Sequence, residues 1–170
     1  TVPVTPFMGE AVLGNPAAPV TLVEYASTTC GHCQAFHAQV FPDLKKAYID
    51  TGKVKLRFVM MPTQPVGIAL AGEAIARCAG EAKYFDVIDT LFEAQDTLTS
   101  AARDPWLLQQ ELRAIGDMYG LDKDEVGTCI DHEPIVTMTR EGVKAAPASI
   151  TGTPSFAIDG VKLELETLED

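Results

Sequence analysis

The chain is poor in basic side chains, in aromatic rings and in cysteine. Its 170 residues hold 13 Lys plus Arg against 24 Asp plus Glu, a formal charge of −11. A surface this acidic repels phosphate backbones and anionic lipid heads, so nucleic acid is excluded as the expected partner. No apolar run approaches the roughly 20 residues that cross a bilayer as a helix. Four Cys are too few for a disulfide scaffold, so their spacing has to be read instead. The first residue is Thr1, with no charged and then apolar leader ahead of it. Either a targeting segment has been removed or the boundary is artificial.

What is present suits one globular domain with an insertion. The acidity is uneven. Residues 1–65 carry five basic and four acidic side chains, residues 66–145 seven and fifteen, and residues 146–170 one and five. The acidic middle reads as a solvated helical surface.

Residues 1–19 hold five prolines and glycines beyond Pro3 and read as an extended lead-in. Val20-Thr21-Leu22-Val23-Glu24-Tyr25-Ala26 is nearly all apolar and β-branched, which suits a strand covered on both faces. From Cys33, the residues Phe36, Val40, Phe41, Leu44, Ala47 and Tyr48 repeat on one face of a helix. Pro42 should kink that helix, and Thr51-Gly52 should end it. Alternation through Lys53-Val54-Lys55-Leu56-Arg57-Phe58-Val59-Met60 predicts a second strand and completes a βαβ unit. Helical periodicity then runs through residues 66–145, where Leu70, Ala74 and Cys78 share a face, as do Tyr84, Val87, Ile88 and Leu91. Asp104-Pro105 and Glu133-Pro134 read as helix starts with proline at the first helical position. A last hairpin pairs Ser155–Ile158 with the run from Val161 across Asp159-Gly160.

Cys30-Gly31-His32-Cys33 lies where the first strand meets the first helix. A cysteine at a helix N-terminus faces unpaired N–H groups and the positive end of the helix dipole, and both favour thiolate. An ordinary thiol is only about 3% ionised at pH 7, so such help matters. His32 can add charge or a hydrogen bond. Cys33, one turn in and in line with Phe36, should be shielded and suited to resolving a mixed disulfide. Zinc is the rival reading of C-x-x-C, but Cys78 and Cys129 are single and far apart and do not form the second ligand pair. A purely structural disulfide is the other. Downstream, Gly152-Thr153-Pro154 precedes a strand, where a cis-proline would turn the preceding backbone towards a substrate.

Together these stretches resemble the DsbA-like thiol–disulfide oxidoreductases, of the type exported by alphaproteobacteria. The resemblance runs from about residue 12 to 163, through Ala18–Ser27, the Cys30–Cys33 motif, Tyr48–Val54, Ala76-Arg77-Cys78 and Gly152–Phe156 with Asp159-Gly160. It implies an α/β thioredoxin-like fold with a central mixed sheet, formed by residues 1–65 and 146–170, and an inserted helical subdomain over 66–145. It further implies Cys30 as nucleophile, Cys33 as resolving thiol, His32 as thiolate stabiliser and Pro154 as a cis-proline facing them, with Thr153 beside it at the substrate. Glu24 is implied as a buried proton acceptor beneath Cys33, and a Glu escaping to solvent at the strand end is the alternative. Cys78 and Cys129 are implied as a second disulfide, against two buried thiols. For His37 and His132, which match no motif, surface or core packing is expected.

No cofactor beyond the Cys30–Cys33 disulfide is implied, and no metal. The expected partners are extended or unfolded polypeptides and a DsbB-like membrane protein that reoxidises the pair. The expected setting is the periplasm and the expected state a monomer. Gly31-His32 in place of Pro-His, and Thr153 before the proline, resemble the disulfide isomerases, so a reductase or isomerase is an alternative. A non-catalytic peptide-binding module is another, of a different class. A closing C-terminal helix is expected after Gly160, and Thr167-Leu168-Glu169-Asp170 could only begin it.

Overall fold

The computed structural model describes residues 3–164. Strand β2 (Val20–Ala26) pairs in parallel with β3 (Val54–Met60), and the helical segment between them makes the βαβ crossover. On its other edge β2 pairs antiparallel with β4 (Ser155–Ile158), which turns back into β5 (Val161–Lys162). The turn uses Asp159 and Gly160, both at positive φ (51° and 76°), as a two-residue hairpin with matching twist requires.

The lead-in is not structureless. Ala11–Leu13 form β1, antiparallel to β3, so the sheet order is β1-β3-β2-β4-β5. Three residues on an edge carry too short a pattern to show a period, and only pairing with β3 defines them.

The crossover helix also differs from a single kinked rod. It divides into α1 (Gly31–Gln39), α2 (Phe41–Leu44) and a π-helical turn over Lys45–Ile49. Pro42 has no N–H to give, and its ring crowds the preceding turn. Val40 nevertheless stays right-handed at φ −110° and ψ −46°, so the chain bends and continues. Gly52, at φ +75°, then ends the segment as expected.

Between β3 and β4 run α3 (Val66–Ala79), a short 3-10 turn, α4 (Tyr84–Glu93), α5 (Gln95–Ala101), α6 (Pro105–Met118), α7 (Lys123–Ile130) and α8 (Glu133–Ala145). Asp104 caps α6 through the N–H groups of Trp106 and Leu107, with Pro105 at the first helical position. In α8 the proline falls one place later than expected, because His132 and not Glu133 is the cap residue. Helix α3 is buried around most of its girth, beyond the single stripe that Leu70, Ala74 and Cys78 define. Its core is continuous with that of the sheet: Ala26, Cys33, Phe58 and Met60 share one apolar cluster with Ile75, Ile88, Leu91 and Val126. The opposite face of the sheet carries a smaller cluster of Tyr25, Val59, Ile150 and Ala157.

A buried ionic knot ties the lead-in to α3. Arg77 Nε donates to Glu73 Oε1 at 2.7 Å, and the Tyr84 hydroxyl donates to Glu73 Oε2 at 2.7 Å. Arg77 also donates to the carbonyls of Phe7 and Gly9, at 3.2 and 2.6 Å. Burial, with the Glu73 charge beside it, pushes the Tyr84 hydroxyl well above its ordinary range. The tetrapeptide Thr167–Asp170, expected to begin a C-terminal helix, lies outside the described residues.

Candidate active site

Cys30 is the N-cap of α1, extended at φ −90° and ψ 120°, and its sulfur accepts the Cys33 N–H at 3.3 Å. One of the helix's orphan donors thus points at the sulfur, where it favours negative charge. On its other side the Cys30 thiol donates to the Thr153 carbonyl oxygen at 3.6 Å. The Thr153–Pro154 peptide is cis, and Ser155 Oγ donates to the Gly152 carbonyl at 2.6 Å in the same turn. Residues 123 apart in sequence therefore meet at one sulfur.

The two cysteines have different surroundings. Cys30 is partly exposed and Cys33 is fully buried, and both are free thiols. Burial, reinforced by the hydrogen bond and charge of Cys30, raises the Cys33 thiol far above the ordinary range. Cys33 therefore holds its proton more tightly than an ordinary thiol. Gly31 and His32, between them, are solvent-exposed.

Hydroxyl and amide groups fix the turn ahead of Cys30. Thr29 Oγ1 donates to the Thr63 carbonyl at 2.8 Å, Thr63 N–H donates to Ser27 Oγ at 3.1 Å, and Cys30 N–H donates to the Ser27 carbonyl at 3.1 Å. From α5, Gln95 Nε2 donates to the carbonyls of Thr28 and Cys30, at 2.8 and 3.0 Å. Gln95 is 6% exposed, and no sequence signal marked it.

On β2, Glu24 is completely buried, which removes the solvent-facing alternative. Register places it between Phe58 of β3 and Phe156 of β4, and its Oε1 lies 2.7 Å from His37 Nε2. His37 is buried on α1 one turn after Cys33 and stacks on Phe92 with ring centroids 4.3 Å apart. Burial alone would lower His37, but the carboxylates of Asp89 and Glu24 outweigh it and raise it to about 9. Core packing describes its place but not its charge. The four-residue spacing from Cys33 was the available signal. His132 caps α8 by position only, without a side-chain bond.

Cys78 on α3 and Cys129 on α7 are joined as a disulfide spanning 51 residues. Two joined cysteines are not available as metal ligands. Among the described residues no group of three or more His, Cys, Asp or Glu is placed to hold a metal ion, and no helix is long and apolar enough to cross a membrane.

Comparison with known proteins agrees with this arrangement. The thioredoxin family model matches residues 8–170. The crystal structure of Wolbachia pipientis alpha-DsbA1 superposes with a TM-score of 0.74 at 30% identity, covering 91% of this chain and 77% of that one. The chain belongs to the thioredoxin family, in its DsbA-like branch. Oxidised BdbD of Bacillus subtilis has the same fold, with a TM-score of 0.77 at 22% identity over 96% of this chain and 89% of its own. A Rickettsia conorii relative, named as a candidate protein-disulfide oxidoreductase, is 31% identical over 161 residues, 90% of this chain and 54% of the relative. The DsbA-like chain thus spans about half the length of the curated relatives it first matches.

Proposed function

We propose that this DsbA-like protein exchanges disulfides with extended polypeptides through Cys30 and Cys33, with oxidation of the substrate as the net direction. The supporting observation is the unequal pair: a partly exposed Cys30 at a helix N-terminus, its sulfur facing the Thr153 carbonyl, beside a fully buried Cys33. A substrate thiolate attacks Cys30 Sγ, the Cys30–Cys33 bond breaks, and its electron pair leaves on Cys33 Sγ, which takes a proton. A second substrate thiolate then attacks the substrate sulfur of the mixed disulfide and expels the Cys30 thiolate. The substrate loses two electrons and the cysteine pair gains them.

His32 stabilises the Cys30 thiolate by charge or by a hydrogen bond, and Glu24 is the buried base that handles the Cys33 proton. Thr153 and Pro154 present backbone to the bound peptide. No cofactor beyond the cysteine pair takes part. A DsbB-like membrane partner regenerates the disulfide in the periplasm, and the protein acts as a monomer.

Cys30→Ala abolishes oxidation of a reduced dithiol peptide, and Cys33→Ala, given a peptide disulfide, attacks it through Cys30, releases one peptide thiolate and accumulates the mixed disulfide, which mass spectrometry detects. A Cys30→Ala protein that still turned over would overturn the mechanism. The equilibrium potential against glutathione separates oxidase from reductase or isomerase, since about 30 mV corresponds to 1.4 kcal/mol for this two-electron couple.

A further inference from the structure

The two amide atoms of Gln95, the first residue of α5, are placed differently although the side chain is largely buried. Nε2 donates to the carbonyls of Thr28 and Cys30. A carbonyl accepts only from a donor, so these two bonds hold the nitrogen inward and turn Oε1 away from them. Among the described residues Oε1 has no hydrogen-bond partner. It is not shut in either, because the buried side-chain polar atoms without a partner are Glu24 Oε2 and His37 Nδ1. The Gln95 oxygen therefore reaches the surface. It does so beside the reactive sulfur: Oε1 lies 4.0 Å from the point where a Cβ would stand on Gly31, the residue after Cys30.

Gly31 leaves that oxygen open to approach. It is the exposed first residue of α1, and its φ lies outside the left-handed region, so the backbone does not call for glycine there. Glycine is also a poorer helix former than alanine. Its lack of a side chain matters for access, since Gln95 Oε1 is the atom that a Cβ at this position would meet. The amide is fixed in place as well. Gln34 Nε2 of α1 donates to the Phe92 carbonyl at 3.0 Å, which ties the end of α4, just before Gln95, to the helix that carries the cysteines. An acceptor with its orientation already set thus stands one residue from the sulfur that a substrate attacks.

We propose that Gln95 is a substrate-binding residue, whose Oε1 accepts a backbone N–H of the extended polypeptide as its cysteine approaches Cys30. The inference rests on the exchange reaction proposed above and adds to it a contact from outside the βαβ unit and the Thr153–Pro154 turn. Backbone is the matching chemistry, because every residue except proline carries an N–H and an extended chain holds these groups unpaired. Consecutive residues stand about 3.8 Å apart, so the donors adjoining the attacking cysteine come within reach of Gly31 as the sulfurs meet. An uncharged acceptor of main-chain N–H groups also separates unfolded from folded chain, in which the same groups are already bonded.

The test removes one backbone donor at a time from the substrate. Single-turnover oxidation of a reduced dithiol peptide by the oxidised protein is compared with that of its analogues, each carrying one amide-to-ester change at a cysteine or within two residues of one. The ester keeps the shape of the chain and lacks the N–H. One such ester slows the wild-type reaction about three- to ten-fold, the range of a single neutral hydrogen bond. Gln95→Leu removes the oxygen, and Gly31→Ala sets a methyl against it. In both variants that ester and the parent peptide react alike. A looser Cys30 turn in Gln95→Leu alters both substrates together and leaves their ratio unchanged, so a purely bracing role does not move it. Gly31→Ala keeps the Nε2 bonds and decides alone if Gln95→Leu does not fold. Esters that all match the parent peptide in wild type, or a penalty that persists in the variants, overturn the assignment. Absence of oxidation of the parent peptide by the unsubstituted protein overturns the underlying exchange reading instead.

Discussion

Gln95, on a helix of the segment between β3 and β4, donates its amide to the backbone carbonyl of Cys30 at 3.0 Å, and the same nitrogen reaches the Thr28 carbonyl at 2.8 Å. The turn that carries Cys30 is therefore held from outside the βαβ unit. The Cys30 carbonyl also accepts the Gln34 N–H at 3.0 Å, the first bond of α1. Gln95 consequently grips the helix start itself.

Gln95→Leu keeps the volume and removes the donor. It leaves the Thr28 carbonyl without its side-chain partner, at a cost of about 1–3 kcal/mol, read as a lower urea midpoint at unchanged slope. The freed turn also changes the alkylation rate of Cys30 by iodoacetamide. Equal rates in wild type and variant would confine the Nε2 bonds of Gln95 to stability.

The Glu24–His37 pair gives stability a defined pH window. His37 titrates near 6.5 without its neighbours and at about 9 in the fold. A raised basic group stabilises fully below its unfolded value and loses that contribution as pH rises through the folded one. Stability from this pair, on the order of 3 kcal/mol, is therefore complete below pH 6.5 and fades up to about 9. In the reduced protein Cys33 adds to the same trend, because a thiol raised by burial also binds its proton more tightly when folded. Urea midpoints of oxidised and reduced protein at a series of pH values separate the two, and His37→Gln flattens the shared part.

The Cys78–Cys129 bridge closes a span of 51 residues across α3 and α7. In the loop-entropy account such a closure contributes roughly 4 kcal/mol. The double variant Cys78→Ala/Cys129→Ala loses about that much by urea denaturation. With the Cys30–Cys33 pair oxidised, the unfolded, unreduced wild-type protein shows no titratable thiol. Two thiols under those conditions would contradict the bridge.

Local pattern carried a good deal of this protein. The alternation over residues 53–60 is β3, the Asp159-Gly160 pair is a hairpin turn, and Asp104-Pro105 starts α6, all from residues within a few places of each other. The C-x-x-C motif fell at a strand-to-helix junction because an apolar run and a helical period abut there. That junction was enough to point to thiol chemistry.

The remainder depended on long-range contact. The Cys30 thiol meets the Thr153 carbonyl across 123 residues, Gln95 meets Cys30 across 65, and His37 meets Glu24 across 13. β1 exists only because β3 lies beside it. The sequence by itself determined the periodic elements and the reactive pair, because periodicity and helix-end chemistry act over one or two turns. Tertiary structure alone decided that Glu24 is buried and paired, that the carboxylates around His37 raise it, and that Gln95 braces the Cys30 turn. Burial, partner and distance are properties of the packed chain, where a side chain's charge is set by whatever the fold places against it.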